Sequence, residues 1–346
     1  MIYLSQKVAI IIPYFGKLPN YFELWLESVK RNANIDIFFF TNNFKLKNCP
    51  PNVHWVVTTF TEVKNRAQKI IEFPISMNTP YKLVDYKPLY GMMFYEYIKE
   101  YDWWGWGDID TIWGRLDIIV NDQNLKKFDK ILDLGHLTLM RNTCFMNNLW
   151  RKKVSGAWSY KDAFNSNLIF HFDEGGGMAF IAKKSGCRIY SEKPNSMNFA
   201  DILPFQNEFK LAYKNDDASN IFTWNNGKLT GYQIKEDKIF SKEYAYIHLQ
   251  KRKMNISISI NDIRKGFLIV PNSFLPLINR KITKNDILNL KNVALYSRKS
   301  KKENKKNLIS RIKHFIQVKI FKFQSKKNKI PLNGNEVYFE VEKPKF

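Results

Sequence analysis

The chain has 346 residues, of which 45% are hydrophobic and 15% aromatic, enough for a substantial core in one large domain or in one domain with an extension. No apolar run reaches the roughly 18 residues that a membrane-spanning helix needs, which argues against an integral membrane protein. The net charge is +23, but thirteen Lys and Arg against one acid lie between residues 298 and 329. A basic tail on a less strongly charged body differs from a body that is basic throughout, which would suggest nucleic-acid binding.

The N-terminal segment predicts a buried strand. Residues 7–12 (KVAIII) are apolar and largely β-branched, and Pro13 interrupts the run. Because the segment lacks a basic leader and a small-residue cleavage site, we interpret it as a strand rather than a signal peptide. The cysteines are odd in number and widely spaced, which gives neither a disulfide framework nor a metal pattern and predicts a reducing, cytoplasmic location. They are Cys49, Cys144 and Cys187.

A β–α–β alternation begins with that strand. Residues 21–32 (YFELWLESVKRN) place apolar side chains at helical spacing, and residues 35–43 (IDIFFFTNN) and 54–60 (HWVVTTF) are further strand-like runs. The alternation predicts an α/β fold with a Rossmann-like sheet covered by helices on both faces. Ligands of such sheets bind at the carboxyl ends of the strands, so the residues that end the first two strands are candidate binding residues. They are Pro13, Tyr14, Phe15, Thr41 and Asn42.

A short polar segment precedes the next predicted helix, whose first turn can hold Pro88. Asp85 and Lys87 bracket Tyr86 in this segment. Two interpretations are open. Both side chains contact a nucleotide or a sugar, or they cap the helix and form a surface ion pair.

The most aromatic stretch of the chain contains two acids. Residues 103–116 read WWGWGDIDTIWGRL and hold four of the nine tryptophans. Asp108 and Asp110 are spaced so that they share one face of an extended chain. Two carboxylates at a strand end suit Mg2+ or Mn2+ carrying a diphosphate. The alternative is a solvated turn or a pair of capping acids, although the flanking glycines let a ligand approach the backbone closely.

Each of the following aromatic side chains and histidines either packs in the core or contacts a ligand. Trp103, Trp104 and Trp113 are expected in the core, and His136 and His171 are expected to be structural. Trp106 lies between two glycines and beside the acids, so it is the candidate to face a sugar or a base.

Three features mark the second half of the chain. Asp173 and Glu174 precede three consecutive glycines and a helix-like run. Asn226-Gly227 favours a tight hairpin turn. The segment KEYAYIHLQKRKM reads as a strand that ends at His248 and is followed by a basic cluster.

Four segments together resemble a family of bacterial GT-A glycosyltransferases from capsule, O-antigen and exopolysaccharide gene clusters. They lie in the family's order within residues 7–255 and read IIPYFG, YKLVDYKPLYG, DWWGWGDIDTIWG and YIHLQKRKM. The resemblance implies a GT-A fold and transfer of a sugar from a nucleotide-sugar, chiefly a UDP-sugar, to a glycan acceptor that can be lipid-linked. One departure is Thr41-Asn42-Asn43, where many relatives carry an acid.

The resemblance also implies roles for individual residues. Asp108 and Asp110 stand where the family binds Mn2+ or Mg2+, and His248 matches a late histidine that adds a further metal ligand. Lys251 and Arg252 would flank the diphosphate.

Sugar transfer with inversion requires a carboxylate that takes the proton of the acceptor hydroxyl. Asp173 and Glu174 are the candidates, and we prefer Glu174. The alternative is that one of them caps the helix that follows the glycines.

We expect residues 1–255 to form the GT-A catalytic domain, 256–296 its C-terminal part and 297–346 a basic amphipathic extension. Apolar residues at helical spacing among Lys and Arg fit an anionic membrane surface, so residues 298–329 would hold the enzyme at the inner face of the plasma membrane. The alternative is a helix packed on the body or against a second copy. The apolar residues are Leu308, Ile312, Phe315, Ile316, Ile320 and Phe323.

Two other functions stay open at this level. A nucleotidyltransferase also places paired acids around a metal and a triphosphate. A non-catalytic nucleic-acid-binding protein would account for the basic tail, and its affinity would fall steeply with salt, but it leaves the acids among the tryptophans without a purpose.

Overall fold

In a computed structural model of the chain, the described residues are 4–192, 197–203, 208–212, 219–290, 309, 312–313 and 316–320. They form a mixed α/β structure with three sheets. The strands are β1 (Val8–Tyr14), β2 (Ile35–Thr41), β3 (Val53–Val57), β4 (Trp103–Gly107), β5 (Thr111–Trp113), β6 (Lys130–Ile131), β7 (Leu137–Arg141), β8 (Ile189–Tyr190), β9 (Phe199–Asp201), β10 (Ile221–Asn225), β11 (Lys228–Lys235), β12 (Lys238–Tyr244), β13 (Tyr246–His248), β14 (Asn255–Ile256), β15 (Phe267–Val270) and β16 (Ser273–Pro276). The α-helices are α1 (Phe22–Lys30), α2 (Phe60–Gln68), α3 (Leu83–Tyr86), α4 (Tyr90–Met93), α5 (Tyr95–Ile98), α6 (Asp122–Lys127), α7 (Cys144–Asn148), α8 (Tyr160–Phe164), α9 (Met178–Lys184) and α10 (Lys284–Leu290), and short 3-10 turns cover Pro80–Lys82, Lys87–Leu89, Leu116–Ile118, Leu149–Arg151 and Ile260–Lys265.

The largest sheet has seven strands in the order β3-β2-β1-β4-β7-β6-β8. The first four are parallel, as the β–α–β alternation predicts. β7 then runs antiparallel to β4, with Gly107 opposite Leu137. The sheet is therefore mixed, and the loop before β7 lies beside the loop that leaves the carboxyl end of β4.

Alternate residues of β1 point into two different cores, because successive side chains of a strand point to opposite faces and both faces of this strand are buried. Ile10 packs in the cluster that includes Trp25 of α1. Ile11 packs in the cluster that includes Val63 of α2 and Tyr90 of α4. Helices therefore cover both faces of the sheet, which confirms that part of the prediction.

A three-stranded sheet, in the order β5-β13-β9, joins distant parts of the chain. His248 is opposite Thr111 on one side and Asp201 on the other. This sheet brings the end of β13 to the turn that contains the two acids.

The remaining six-stranded sheet has the order β12-β11-β10-β15-β16-β14. The turn between β10 and β11 has left-handed φ values of +48° at Asn226 and +85° at Gly227, so the predicted Asn-Gly hairpin is confirmed. β15 and β16 come from the region after residue 256, where the sequence shows no signature, and they pair within this sheet.

Part of the basic segment is described and is helical at residues 309, 312–313 and 316–320. Ile309, Ile312, Ile316 and Ile320 are each 45–50% exposed, whereas Val318 is buried against the core. Leu308, Phe315 and Phe323 lie outside the described residues. Among the described residues, no helix has the length and apolarity needed to cross a bilayer.

Candidate metal and catalytic site

The candidate site forms where three loops meet at the carboxyl edge of the parallel strands. β4 ends at Gly107, and the backbone N–H of Asp108 donates to the carbonyl of His136, at 3.1 Å, in the loop before β7. Ile109 turns into the core, so Asp108 and Asp110 point away from it. Asp110 is buried and Asp108 is partly exposed, so the turn is not solvated at Asp110.

Asp110 is held by the end of β13. One carboxylate oxygen lies 3.4 Å from Nε2 of His248, and the other accepts the backbone N–H of Lys251 at 2.7 Å. Nδ1 of His248 donates to Asp201 at 2.8 Å, and Gln250 donates to the same oxygen at 2.7 Å. Asp201 therefore fixes the orientation of His248 and aims Nε2 at Asp110, as carboxylates do for metal-binding histidines.

These groups shift one another's pKa values. Burial lowers the pKa of His248, but Asp110 and Asp201 raise it by more, to about 10. Burial raises the pKa of Asp110, but the charge and hydrogen bond of His248 and the N–H of Lys251 lower it further, to below its usual range. The pKa of Asp201 is lowered by the same imidazole against the effect of its burial. The imidazolium of His248 is therefore the cation between Asp110 and Asp201 in this structure, and a metal ion bound at Nε2 would take the place of its proton.

The sequence predicts that His136 is a structural histidine. In the structure it lies in this cluster. Its ring stacks on that of His248 with centroids 4.2 Å apart. The side chain is buried, and neither ring nitrogen has a hydrogen-bond partner in the described part of the chain. Burial and the neighbouring His248 lower its pKa well below the usual value, so the ring is neutral. Unpartnered imidazole nitrogens in a buried polar cluster fit a site that receives a further group.

Two groups of side chains here could hold a metal ion. The ligand atoms of Asp108, Asp110 and His248 lie within 4.8 Å of one another, and so do those of His136, Asp201 and His248. Two carboxylates and an imidazole suit Mn2+, and carboxylates suit Mg2+. The residues present therefore fit a divalent cation.

A buried lysine connects the acids to a second pair of carboxylates. Nζ of Lys87 donates to Asp108 at 2.8 Å and to the carbonyl of Gly135 at 2.8 Å, and it lies 3.5 Å from Asp173. Burial lowers the pKa of Lys87, but Asp108 and Asp173 raise it by more. Its partner is therefore Asp108, and the predicted surface ion pair with Asp85 is wrong.

Asp173 and Glu174 converge on Gly135. The backbone N–H of Gly135 donates to Glu174 at 3.2 Å. A Cβ at Gly135 would lie 2.4 Å from Oε1 of Glu174 and 2.9 Å from Oδ2 of Asp173, so a larger residue would displace both carboxylate ends. Neither acid caps α9, because its N-cap is Gly177 without a side-chain hydrogen bond. The capping alternative is therefore wrong.

The two acids differ in environment. Asp173 is buried, and burial raises its pKa well above the usual value even though Lys87 lowers it. One of its oxygens has no hydrogen-bond partner in the described residues. Glu174 is half-buried. His171, which was expected to be structural, is exposed with a left-handed φ of +49°, and its ligand atom lies within 4.8 Å of those of both acids.

The predicted ligand contact of Trp106 is wrong because its side chain is buried in the protein itself. Trp106 is fully buried, since β4 lies between β1 and β7 with both faces covered, and its indole N–H donates to the carbonyl of Leu134. Trp103, Trp104 and Trp113 are buried as expected.

Arg252 is also buried and does not flank an open site. It donates to Asn272 at 2.6 Å and to the carbonyl of Leu203 at 2.9 Å. Gln250 and Lys251 have left-handed φ values of +48° and +59°, which turn Lys251 outward and Arg252 inward.

Asp85 is buried and is neither a ligand contact nor a helix cap. It pairs with Lys82 at 2.7 Å and accepts the backbone N–H groups of Phe170 and Phe172 at 3.0–3.1 Å. It therefore fixes the segment that leads to Asp173.

The candidate residues at the ends of β1 and β2 divide into two groups. Thr41 is buried and its hydroxyl accepts from Asn43, so it does not face a ligand. Asn42 is exposed and accepts the N–H of Gly16 at 3.0 Å, which ties the two strand ends together. Tyr14 is half-buried, and its pKa is raised first by burial and then by the charge of Asp110. Pro13 and Phe15 are half-buried beside it.

Comparison with known families classifies the chain without giving a function. Residues 10–278 match a family described as "Family of unknown function (DUF6625)". The match covers most of the chain, so the chain belongs to this family. No curated protein matches it.

Replacing Asp85 with alanine should lower the free energy of unfolding by about 3–5 kcal/mol, because Lys82 would keep a buried charge without its partner. The control is Glu96→Ala, which removes the exposed partner of Arg66 and should cost less than about 1 kcal/mol. Urea unfolding followed by circular dichroism measures both. Equal losses in the two variants would contradict the structural role of Asp85.

Proposed function

We propose that this DUF6625 protein is a metal-dependent glycosyltransferase that moves a sugar from a nucleotide-sugar, chiefly a UDP-sugar, to a glycan acceptor of a bacterial surface polysaccharide. The observation that carries the proposal is the convergence of Asp108, Asp110 and His248 at the carboxyl edge of parallel strands, which is where nucleotides bind in such sheets. The GT-A resemblance of the four sequence segments supports the same reaction.

Asp108, Asp110 and His248 would hold Mn2+ or Mg2+. When bound, the ion supplies positive charge to the diphosphate that leaves the donor. Lys251 is exposed and its backbone N–H is fixed on Asp110, so its ammonium group can reach the same phosphates. Charge placed in advance where charge develops is the largest contribution that such a site can make to the rate.

Glu174 is the candidate general base for the acceptor hydroxyl. It is half-buried, and one oxygen is held by the N–H of Gly135. Asp173 is buried and lies 3.5 Å from the ammonium group of Lys87, so it is less accessible to an acceptor hydroxyl than Glu174. Trp158 lies over Gly176, 3.0 Å from the position a Cβ would take there, and it gives the acceptor sugar an apolar surface near Glu174.

The basic helix is the part of the chain that would meet the membrane. Its exposed isoleucines form one stripe, and the surrounding segment is strongly basic. An apolar stripe among lysines matches an anionic lipid surface, where a lipid-linked acceptor would be held. The enzyme would then be peripheral at the cytoplasmic side of the membrane.

A thermal-shift titration with UDP, GDP and CDP, each with and without Mn2+, tests the metal and donor site. For the nucleotide that matches the donor, we expect the Tm of the wild type to rise by about 5 °C near saturation, and only when Mn2+ is present. Asp110→Ala should abolish the rise. Glu23→Ala, which changes an exposed acid on α1, should retain it.

No shift with any nucleotide, in folded protein, would contradict the proposal. Mass spectrometry of the reaction products distinguishes a glycosyltransferase from a nucleotidyltransferase. A glycosyltransferase that uses a UDP-sugar releases UDP, whereas a nucleotidyltransferase transfers a nucleoside monophosphate from a nucleoside triphosphate and releases pyrophosphate.

Glu174→Gln should lower the rate of sugar transfer by about 10²- to 10⁴-fold, because the acceptor hydroxyl loses its base. Nucleotide binding with Mn2+ should stay within twofold of the wild type. The matched surface control is Glu23→Gln in α1, which should not change the rate. Transfer by Glu174→Gln at the wild-type rate would exclude this residue as the base.

The double variant Ile312→Asp/Ile316→Asp should lose binding to vesicles that contain phosphatidylglycerol, because it puts charge on the stripe. Co-sedimentation of the full chain measures this, and Phe44→Asp, at a side chain 89% exposed elsewhere, should bind like the wild type. Unchanged sedimentation of the double variant would contradict membrane binding through this helix.

A further inference from the structure

The burial of Trp106 leaves the site without its predicted aromatic ligand contact, but another aromatic ring is available. Tyr81 is 48% exposed and lies on the 3-10 turn Pro80–Lys82. The next residue, Lys82, is buried and bonded to Asp85 and to the carbonyl of Leu168. The ring is therefore presented from a turn that is fixed to the core.

The ammonium group of Lys251 covers this ring. Its Nζ lies 3.8 Å from the ring centroid of Tyr81, which is a close cation–π contact. At the other end of the same residue, the backbone N–H donates to Asp110 at 2.7 Å. One lysine thus spans the distance from the candidate metal ligand to the exposed ring.

The loop that carries Lys251 is held in an uncommon conformation. Gln250 and Lys251 are consecutive non-glycine residues with left-handed φ values. Leu249 donates its N–H to the carbonyl of Asp110 at 2.8 Å, and Gln250 is bonded to Asp201. A backbone held in this region is over-determined by its contacts. The backbone of Lys251 is therefore held by hydrogen bonds on both sides, whereas its side chain is exposed.

The two acids divide the site into two sides. Asp108 faces Lys87 and, through it, Asp173, which is the side of the candidate base. Asp110 faces Lys251, and its charge acts on Tyr14 at the end of β1. Sugar transfer occurs near the base, so the nucleoside belongs on the side of Asp110, which Lys251 links to Tyr81 through its backbone N–H and its ammonium group.

We infer that Tyr81 is the stacking platform for the nucleobase of the donor, and that Lys251 covers its ring until a diphosphate binds. The inference rests on the proposed function. An exposed cation–π contact is weak compared with the attraction between an ammonium and a diphosphate. The side chain of Lys251 then moves to the phosphates, and the face of Tyr81 is free to stack on the base.

Calorimetric titration of the full chain with UDP and with inorganic pyrophosphate, both with Mn2+, tests the inference. If the thermal titration selects another nucleoside diphosphate, it replaces UDP. Tyr81→Ala should weaken UDP binding by about fivefold or more, because stacking on one base is lost. It should leave pyrophosphate binding unchanged. Tyr81→Phe should bind UDP like the wild type, and Lys251→Met should weaken both ligands.

The controls separate the possible failures. Tyr95→Ala changes another exposed tyrosine, 54% exposed, and should bind both ligands like the wild type. Equal weakening of UDP and pyrophosphate by Tyr81→Ala, or no weakening of either, would overturn the platform and leave the metal site intact. A wild type that binds neither ligand with Mn2+ would overturn the proposed function and the platform together.

Discussion

The site depends on one buried ammonium group, that of Lys87. A fully buried lysine is costly unless anions and carbonyls surround it, and Lys87 meets this condition with Asp108, Asp173 and the carbonyl of Gly135. Those partners come from the loop after β4, the loop before β7 and the segment before α9. Lys87 therefore lies between the two pairs of acids, because its ammonium group contacts Asp108 of one pair and Asp173 of the other.

The antiparallel return of β7 makes this arrangement possible. In an all-parallel sheet, the strand next to β4 would begin at the opposite edge. Because β7 runs the other way, Gly135 and His136 lie directly beside Asp108. The three-stranded sheet adds His248 and Asp201 from the other direction. Four separate segments thus contribute to one cluster at this edge of the sheet.

The sequence predicts those parts of the molecule that depend on local pattern. The β1–α1–β2 alternation, the Asn226-Gly227 turn and the D-x-D acids after β4 are readable because periodicity, turn chemistry and spacing are local properties. Asp201 is not readable, since its role depends on pairing with a strand 47 positions away. Its only signal is an acid at the end of the short apolar run Phe199-Ala200.

A polar or aromatic residue beside the acids in sequence does not always face the ligand. Trp106 and Arg252 are neighbours of the site in sequence, but β4 is covered on both faces and the left-handed turn at Gln250 and Lys251 reverses the direction of the next side chain. Asp85 is a related case, because it forms an ion pair with the buried Lys82 three residues before it and does not face a ligand. Burial, which a single sequence does not show, decides these cases.

Gly135 leaves room for the second pair of carboxylates. Its hydrogen atom lies where a Cβ would be 2.4 Å from Oε1 of Glu174 and 2.9 Å from Oδ2 of Asp173. A larger residue at this position would push both carboxylate ends away from the loop before β7, and Glu174 would no longer accept the N–H of residue 135 in its present position. The placement of this carboxylate pair therefore depends on a backbone position that carries no side chain.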